Sequence, residues 1–373
     1  MKKILISAAA LCFSALSFGQ HYTFETVTDL EATPVISQGI TGTCWSFSTS
    51  SFLESEIIRT TGKQIDISEM YNVRNTYPEK ARNYIMRQGK AQFSQGGLSH
   101  DVINSIARYG MVPQRVYTGL ENGQEKHNHI EMVSVLEGML KVYVENPAKT
   151  LSPKWKQAIE SVLDVYLGKN VSEFTYEGKQ YTPESFLKMT GIRPEDYVSV
   201  TSFTHRPFYS DFVLDIPDNF SNGSYYNLPL DEFVAVIDHA LENGYTLALD
   251  CDVSEPTFSQ KDGVAVIPAD ENDVKTIRST IKEEKRISQE YRQQEFENYH
   301  TTDDHLMHIV GKVKDQEGRV YYKVKNSWGT DKNRVGDSEG YINMSVPYIR
   351  LKAISVMLHK DGLSKATRKS LKL

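Results

Sequence analysis

The chain has 373 residues, with 42 Lys+Arg against 48 Asp+Glu, 39% hydrophobic and 24% charged residues, and 3 cysteines. That length can bury a sizeable core in one or two domains, while so few cysteines exclude a disulfide-stapled scaffold or a Cys-rich zinc module. A formal net charge of -6 offers no overall positive field to phosphates and argues against a general nucleic-acid binder.

The elements follow in chain order. Lys2 and Lys3, the apolar run Ile4 to Phe18, and the small residues Ser17 and Gly19 read as a Sec-type signal peptide over residues 1–19, cut before Gln20. The run is shorter than the roughly 20 apolar residues needed to span a bilayer, so export to the periplasm or medium is expected, with no stable membrane span. Cys12 leaves with that segment, and Cys44 and Cys251 remain.

After a polar stretch and a glycine-containing loop (38–43), a helix is expected from Cys44 to Arg59, N-capped by Thr43 and closed at Thr60-Thr61-Gly62. Its interior is rich in Ser and small residues, which suits close burial between other elements. A second helical stretch, 66–87, is expected to break at Thr76-Tyr77-Pro78. Gly96-Gly97 sits in a loop, and Leu98 to Tyr109 reads as a helix closed by Gly110. Residues 118–193 read as a charged, mainly helical accessory region, interrupted by a hairpin turning at Glu177-Gly178.

From Tyr197 the pattern changes toward strands. Tyr197 to Ser202 alternates, Leu230 to Asn243 is an amphipathic helix, and Tyr245 to Val253 is an apolar strand. The charged run 270–299 reads as a solvent-faced helix. Strands are expected at 308–313, 319–325 and 340–344. The end, rich in Lys and Arg from Lys360, reads as a basic and mobile tail.

Three motifs carry chemistry: Gln38-Gly-Ile-Thr-Gly-Thr-Cys44-Trp45, Asp304-His305-Leu-Met-His308-Ile-Val310-Gly311, and Lys325-Asn326-Ser327-Trp328-Gly329. A nucleophilic thiol needs activation, which a helix N-terminus and a neighbouring imidazole can provide. Cys44 stands at that helix end. His305 can accept its proton, and an amide such as that of Asn326 can orient the ring. Gln38 and the Cys44 N–H can hold an oxyanion, and Trp328 can shield the His–Asn pair from water. Asp304 either stays solvated or tunes His305, the former being favoured. His308 lies three residues on in an extended segment and is expected on the opposite face. His127 and His129 read as a solvated face rather than a metal site, and Cys251 as core packing.

These residues, in this order, resemble the papain-like cysteine peptidases. Tyr109 to Tyr117, Tyr197 to Val200, Leu228 to Phe233 and Cys251-Asp252-Val253 narrow the resemblance to the bleomycin hydrolase and aminopeptidase C branch, over about residues 30–355. The resemblance implies an α+β fold of two domains. A left, mostly helical domain (20–117) would carry Cys44, and a right, antiparallel-sheet domain (194–360) would carry His305 and Asn326. The cleft would run between them, followed by a tail at 361–373. It implies an aminopeptidase needing no metal or organic cofactor, with peptides or proteins as substrates. Gly96 and Gly97 would be the edge that pairs with the substrate backbone, and a hexameric homo-oligomer is a possible assembly. A papain-like endopeptidase and a non-catalytic peptide-binding relative are the alternatives.

Two expectations concern restraint. The stretch 20–43 is too short for an inhibitory propeptide of the kind secreted papain relatives carry. In the branch, a C-terminal arm lies in the cleft and favours removal of N-terminal residues, so the tail from Gly362 is a candidate for that role.

Overall fold

A computed structural model describes residues 21–373. The expected signal segment, with Cys12, lies outside the described residues.

The first half is mostly helical: β1 (Phe24–Asp29), α1 (Cys44–Thr61), α2 (Glu69–Met86), α3 (Ser99–Tyr109), α4 (Ile130–Val144), α5 (Lys154–Leu167), the hairpin β2 (Phe174–Tyr176) and β3 (Lys179–Tyr181), and α6 (Pro183–Thr190). The second half is strand-rich: β4 (Tyr197–Thr201), β5 (Asp211–Val213), β6 (Ser224–Asn227), α7 (Leu230–Glu242), β7 (Leu247–Cys251), β8 (Phe258–Ser259), β9 (Val264–Ala265), α8 (Gln289–Glu297), β10 (His305–Asp315), β11 (Val320–Lys325), α9 (Lys332–Val335), β12 (Tyr341–Ser345), α10 (Val346–Lys352), β13 (Ala353–His359) and α11 (Lys365–Leu371).

The main sheet runs β5-β6-β4-β13-β7-β10-β11-β12-β9-β8, with β1 added beside β10. Most of its pairings are antiparallel, including β10 with β7 and β11. The α+β architecture inferred from the motifs is the one observed.

Two apolar clusters dominate. One joins the helices through Trp45, Phe52, Met70, Val102, Leu136 and Leu163. The other lies behind the sheet, where α7 and α10 cover Leu249, Cys251, Met307 and Val324. Strand alternation sends β7 both ways: Leu247, Leu249 and Cys251 join the second cluster, while Ala248 joins the first.

Helix α1 lies against β10 between these clusters, and its serines explain how. Ser48 donates to Met307 O, and Ser51 Oγ lies 2.9 Å from His308 Nδ1. Small hydroxyl side chains let the helix approach the strand and satisfy polar groups that a bulkier stripe would strand.

Four local expectations need correction. Helix α2 runs through Pro78 without a break; burial of Tyr77 and Ala81 on the helical core outweighs the one backbone bond that Pro removes. In the charged run, only 289–297 is a regular α-helix. Glu284 instead turns inward to accept from the Ile267 N–H at 2.8 Å, and Arg292 is fully buried, donating to Ser202 O at 2.8 Å. His127 and His129 are buried, not solvated. The tail forms α11, N-capped by Ser364, with Leu363 and Leu371 in the second core cluster and Arg368 paired to Asp361 at 2.6 Å.

Candidate active site

Cys44 is the first residue of α1, so its N–H belongs to the helix end that has no intrahelical acceptor. Thr43 occupies the cap position as expected, yet its side chain makes no cap bond and turns to Thr41. No acidic residue stands in the first turn, so nothing within the helix itself opposes its positive end.

The preceding loop is clamped on two sides. The Ile40 N–H donates to His127 O at 2.8 Å, and the His129 N–H donates to Ile40 O at 3.2 Å. Gly39 has φ +70°, and a Cβ there would come within 2.5 Å of His127 O, so only glycine fits this approach. The Gly42 N–H donates to Gln95 Oε1 at 2.7 Å, and Trp45 Nε1 donates to Gln95 O at 2.9 Å. The 127–129 segment was missed in the sequence because its contribution is backbone pairing, which leaves no motif.

His305 opens β10, opposite Cys251 of β7. Its Nε2 lies 2.7 Å from Asn326 Oδ1. Asn326 has its amide orientation fixed: Oδ1 also accepts the Ser327 N–H at 2.7 Å, and Nδ2 donates to Gln260 Oε1 at 2.8 Å. Gln260 Nε2 in turn donates to Tyr341 O at 2.9 Å. An oxygen facing Nε2 requires Nε2 to carry the proton, which leaves Nδ1 of neutral His305 as the free base. Gln260 is a second residue that sequence reading missed, since it lies 66 positions from Asn326 on a different strand connection.

Trp328 covers the pair, its ring 5.0 Å from the His305 ring, and Arg334 lies over the indole. Gln38 is held at both ends: Nε2 donates to Thr41 O at 2.6 Å, and Oε1 accepts the Ser327 hydroxyl at 2.6 Å. One Nε2 hydrogen stays available. His308 faces the other way, fully buried on Ser51. Asp304 is exposed and turns to Thr302 Oγ1 at 2.7 Å rather than to His305. Among the described residues both cysteines are free thiols, and Cys251 is fully buried.

The electrostatics differ from the expectation of a lowered thiol pKa. Burial pushes the Cys44 thiol up to about 12; the Leu306 N–H opposes this, while Asp218, Asp303 and Asp250 add to it. Burial pushes His305 down to about 4, against the hydrogen bond to Asn326. In both residues burial thus works against the charged form.

The glycine edge is also different. A Cβ on Gly96 would overlap the Asp218 carboxylate, and one on Gly97 would meet the Trp45 ring at 3.0 Å. Lys80 donates to Gly96 O. The β5–β6 loop thus packs its Asp218 against Gly96, while Gly97 lies on Trp45.

A separate cavity of about 280 Å³ continues along α1 past Ser48 and Ser51 to Glu54, Asp66, Glu69 and Lys325. The three carboxylates lie close enough to hold a metal ion. Burial raises all three carboxyls above their ordinary values, and Lys325, which bonds Ser51 Oγ at 2.7 Å, already supplies a cation that opposes the rise.

Comparison with known proteins places this geometry. The family model described as "Peptidase C1-like family" matches residues 9–372. Aminopeptidase G of Lactobacillus delbrueckii subsp. lactis is 23% identical, across 91% of this chain and 83% of that protein. Cysteine proteinase 1, mitochondrial, of Saccharomyces cerevisiae (strain JAY291) is 21% identical, across 84% of this chain and 72% of that protein. The crystal structure of PepW from Lactobacillus rhamnosis HN001 superposes with a TM-score of 0.73 at 18% identity, covering 93% of this chain and 84% of that one.

Proposed function

The chain belongs to the peptidase C1-like family, and on that footing we propose that it is a papain-like cysteine aminopeptidase whose chemistry runs through Cys44, His305, Asn326 and Gln38. The observation that carries the reading is the fixed orientation of Asn326, which leaves His305 with Nδ1 as the base.

The steps follow from that geometry. Cys44 Sγ attacks the scissile carbonyl carbon as its proton passes to His305 Nδ1. Burial works against a lone charge on either group, so the thiolate and imidazolium form together and each stabilises the other. The Cys44 N–H and the free Nε2 hydrogen of Gln38 receive the oxyanion. His305 then protonates the leaving amine, and a thioester remains. Water attacks the thioester, gives its proton to His305, and the carboxylic acid leaves as Cys44 is restored.

Aminopeptidase rather than endopeptidase action is supported by Aminopeptidase G as a relative along most of its length and by the loop over Gly96. The test is hydrolysis of free and N-acetylated fluorogenic peptides. The reading expects the free amine to be strongly preferred and Cys44→Ser to be inactive; equal cleavage of both substrates refutes it. The same reading carries export through residues 1–19 and assembly into a homo-oligomer, checked by N-terminal sequencing and by solution mass. Among the described residues no helix is long and apolar enough to cross a membrane.

A further inference from the structure

The β5–β6 loop crosses from the sheet to the helical layer and is fastened there. The Ser221 hydroxyl donates to Asp101 Oδ1 at 2.6 Å and faces His100 Nε2 at 2.9 Å; Phe220 lies under Lys80. Asn219 braces the loop from inside, bonding Leu214 O at 2.9 Å and both the N–H and O of Gly223. This fastening lays Asp218 on Gly96.

Two more carboxylates lie within electrostatic reach of Asp218. Asp250 is paired across the ladder with Leu306, whose N–H faces the Cys44 sulfur. It alternates with Leu249 and Cys251, so its side chain points to the helical layer and the cleft. Asp303 precedes the His305 strand by two residues and faces Asp250. Asp250 is only 2% exposed, and beyond the Asp303 carboxyl that it faces neither of its oxygens meets a partner among the described residues; Asp303 also receives the Asp218 N–H, and buried Lys80 faces Asp218 and Asp303 from the helical layer. Burial holds the Asp250 and Asp303 carboxyls above the usual carboxylate range, and a cation arriving between them stabilises their ionised form.

We propose that Asp218, Asp250 and Asp303 form the receptor for the substrate's free α-ammonium group, so that a loop inside the chain sets the aminopeptidase specificity of the Cys44 site. The inference rests on the aminopeptidase reading and names the residues that enforce it. Three arguments select an ammonium. The loop sets the Asp218 carboxylate against Gly96 and so crowds the path of a peptide past Cys44 on that side. The acidic triad tight enough for a metal ion among the described residues is a different one, Glu54, Asp66 and Glu69. A primary ammonium brings three donors, which the oxygens of buried Asp250 lack. The C-terminal tail is engaged elsewhere, since Gly362 lies against Tyr245 and Leu371 sits in the core behind the sheet.

The pocket also acts on the nucleophile. The same three carboxylates raise the Cys44 thiol, so an ammonium among them cancels charges that oppose the thiolate. A substrate with a free amine therefore assists its own attack.

The test compares kcat/KM for leucyl and N-acetyl-leucyl fluorogenic amides in wild type, Asp250→Asn and Asp218→Asn. Asp218 sits in a surface loop, so its variant stays informative if the buried one fails to fold. The expected result is a fall of at least about 30-fold in the free-to-acetylated ratio in both variants, the scale for losing one partner of a buried charge pair. An unchanged ratio in Asp218→Asn and in folded Asp250→Asn overturns the proposal while leaving the aminopeptidase reading intact. No amine preference in the wild type overturns both. Preferred cleavage of a blocked peptide bearing Arg one residue before the scissile residue, lost in Asp250→Asn, overturns it in favour of a basic side chain as ligand.

Discussion

The Ser327 hydroxyl donates to Gln38 Oε1 at 2.6 Å, which ties the proposed oxyanion donor of the helical half to the strand end that carries Asn326. The same residue donates its N–H to Asn326 Oδ1. One serine therefore positions both the group that receives negative charge and the group that orients the base. Ser327→Ala is expected to lower kcat about 10-fold with little change in KM, whereas removing the donor itself in Gln38→Ala lowers kcat about 100-fold. Steady-state kinetics on a free-amine substrate separate the two.

Gln260 holds Asn326 by accepting from its Nδ2. Gln260→Leu leaves that N–H without a partner and frees the amide to turn, so its nitrogen can face the protonated Nε2 of His305. The expected effect is a fall of about 10-fold in kcat at unchanged KM, the lower part of the range for a disturbed general base. An equal loss in Asn326→Ala and in the double variant would show that Gln260 acts through Asn326.

Trp328 keeps His305 dry. Burial lowers the imidazole to about 4 from its ordinary 6.5. The base works only when unprotonated, so activity falls as pH drops through that value. Trp328→Ala readmits water, stabilises the imidazolium and moves the acid limb of kcat/KM upward from about 4 toward 6.5. A pH profile from 3.5 to 8 reads the shift directly; an unmoved limb contradicts the shielding.

The motifs were legible because each catalytic role demands a fixed residue type in a short frame: Gln38 to Cys44, His305 to Gly311, Asn326 to Gly329. The elements around them were legible from periodicity, as with α3, α7 and β4. What was not legible depends on distant contacts. Nothing near Asp218 announces that it will lie on Gly96. The burial of His127 and His129 follows from pairing with Ile40, and the irregular course of 274–288 follows from Glu284 reaching Ser345 and Ile267. Pro78 was misjudged because local propensity stops a helix that core burial continues. Nor does the sequence around Cys44 announce the burial and the three carboxylates that oppose its thiolate.

Asp218 gives a substrate-free check on that opposition. Its carboxylate raises the Cys44 thiol, so Asp218→Asn lowers it, and Cys44 alkylation by iodoacetamide rises at lower pH than in the wild type. A rate profile that does not move, or moves to higher pH, contradicts the placement of that charge.

The two cysteines separate cleanly. Cys251 lies fully buried in the apolar cluster behind the sheet, so Cys251→Ser costs about 1–3 kcal/mol of stability with turnover retained. Thermal unfolding and activity on one preparation measure both.

The tail is now expected to act on stability. Truncation after Lys360 removes Leu363 and Leu371, each worth about 1.5–3 kcal/mol when fully buried, and lowers the melting temperature. The preference for free amines is unchanged, because Asp218, Asp250 and Asp303 stay in place. Broadened cleavage of internal bonds by the truncated chain would return the blocking role to the tail.

The most direct test is the hydrolysis of a free-amine fluorogenic substrate by Cys44→Ala beside wild type, with active sites counted by an epoxide thiol reagent and the adduct located by peptide mapping. The account predicts one adduct per chain on Cys44, loss of turnover in step with labelling, and no turnover in Cys44→Ala. Full activity in that variant, or inactivation with the adduct elsewhere, would contradict it.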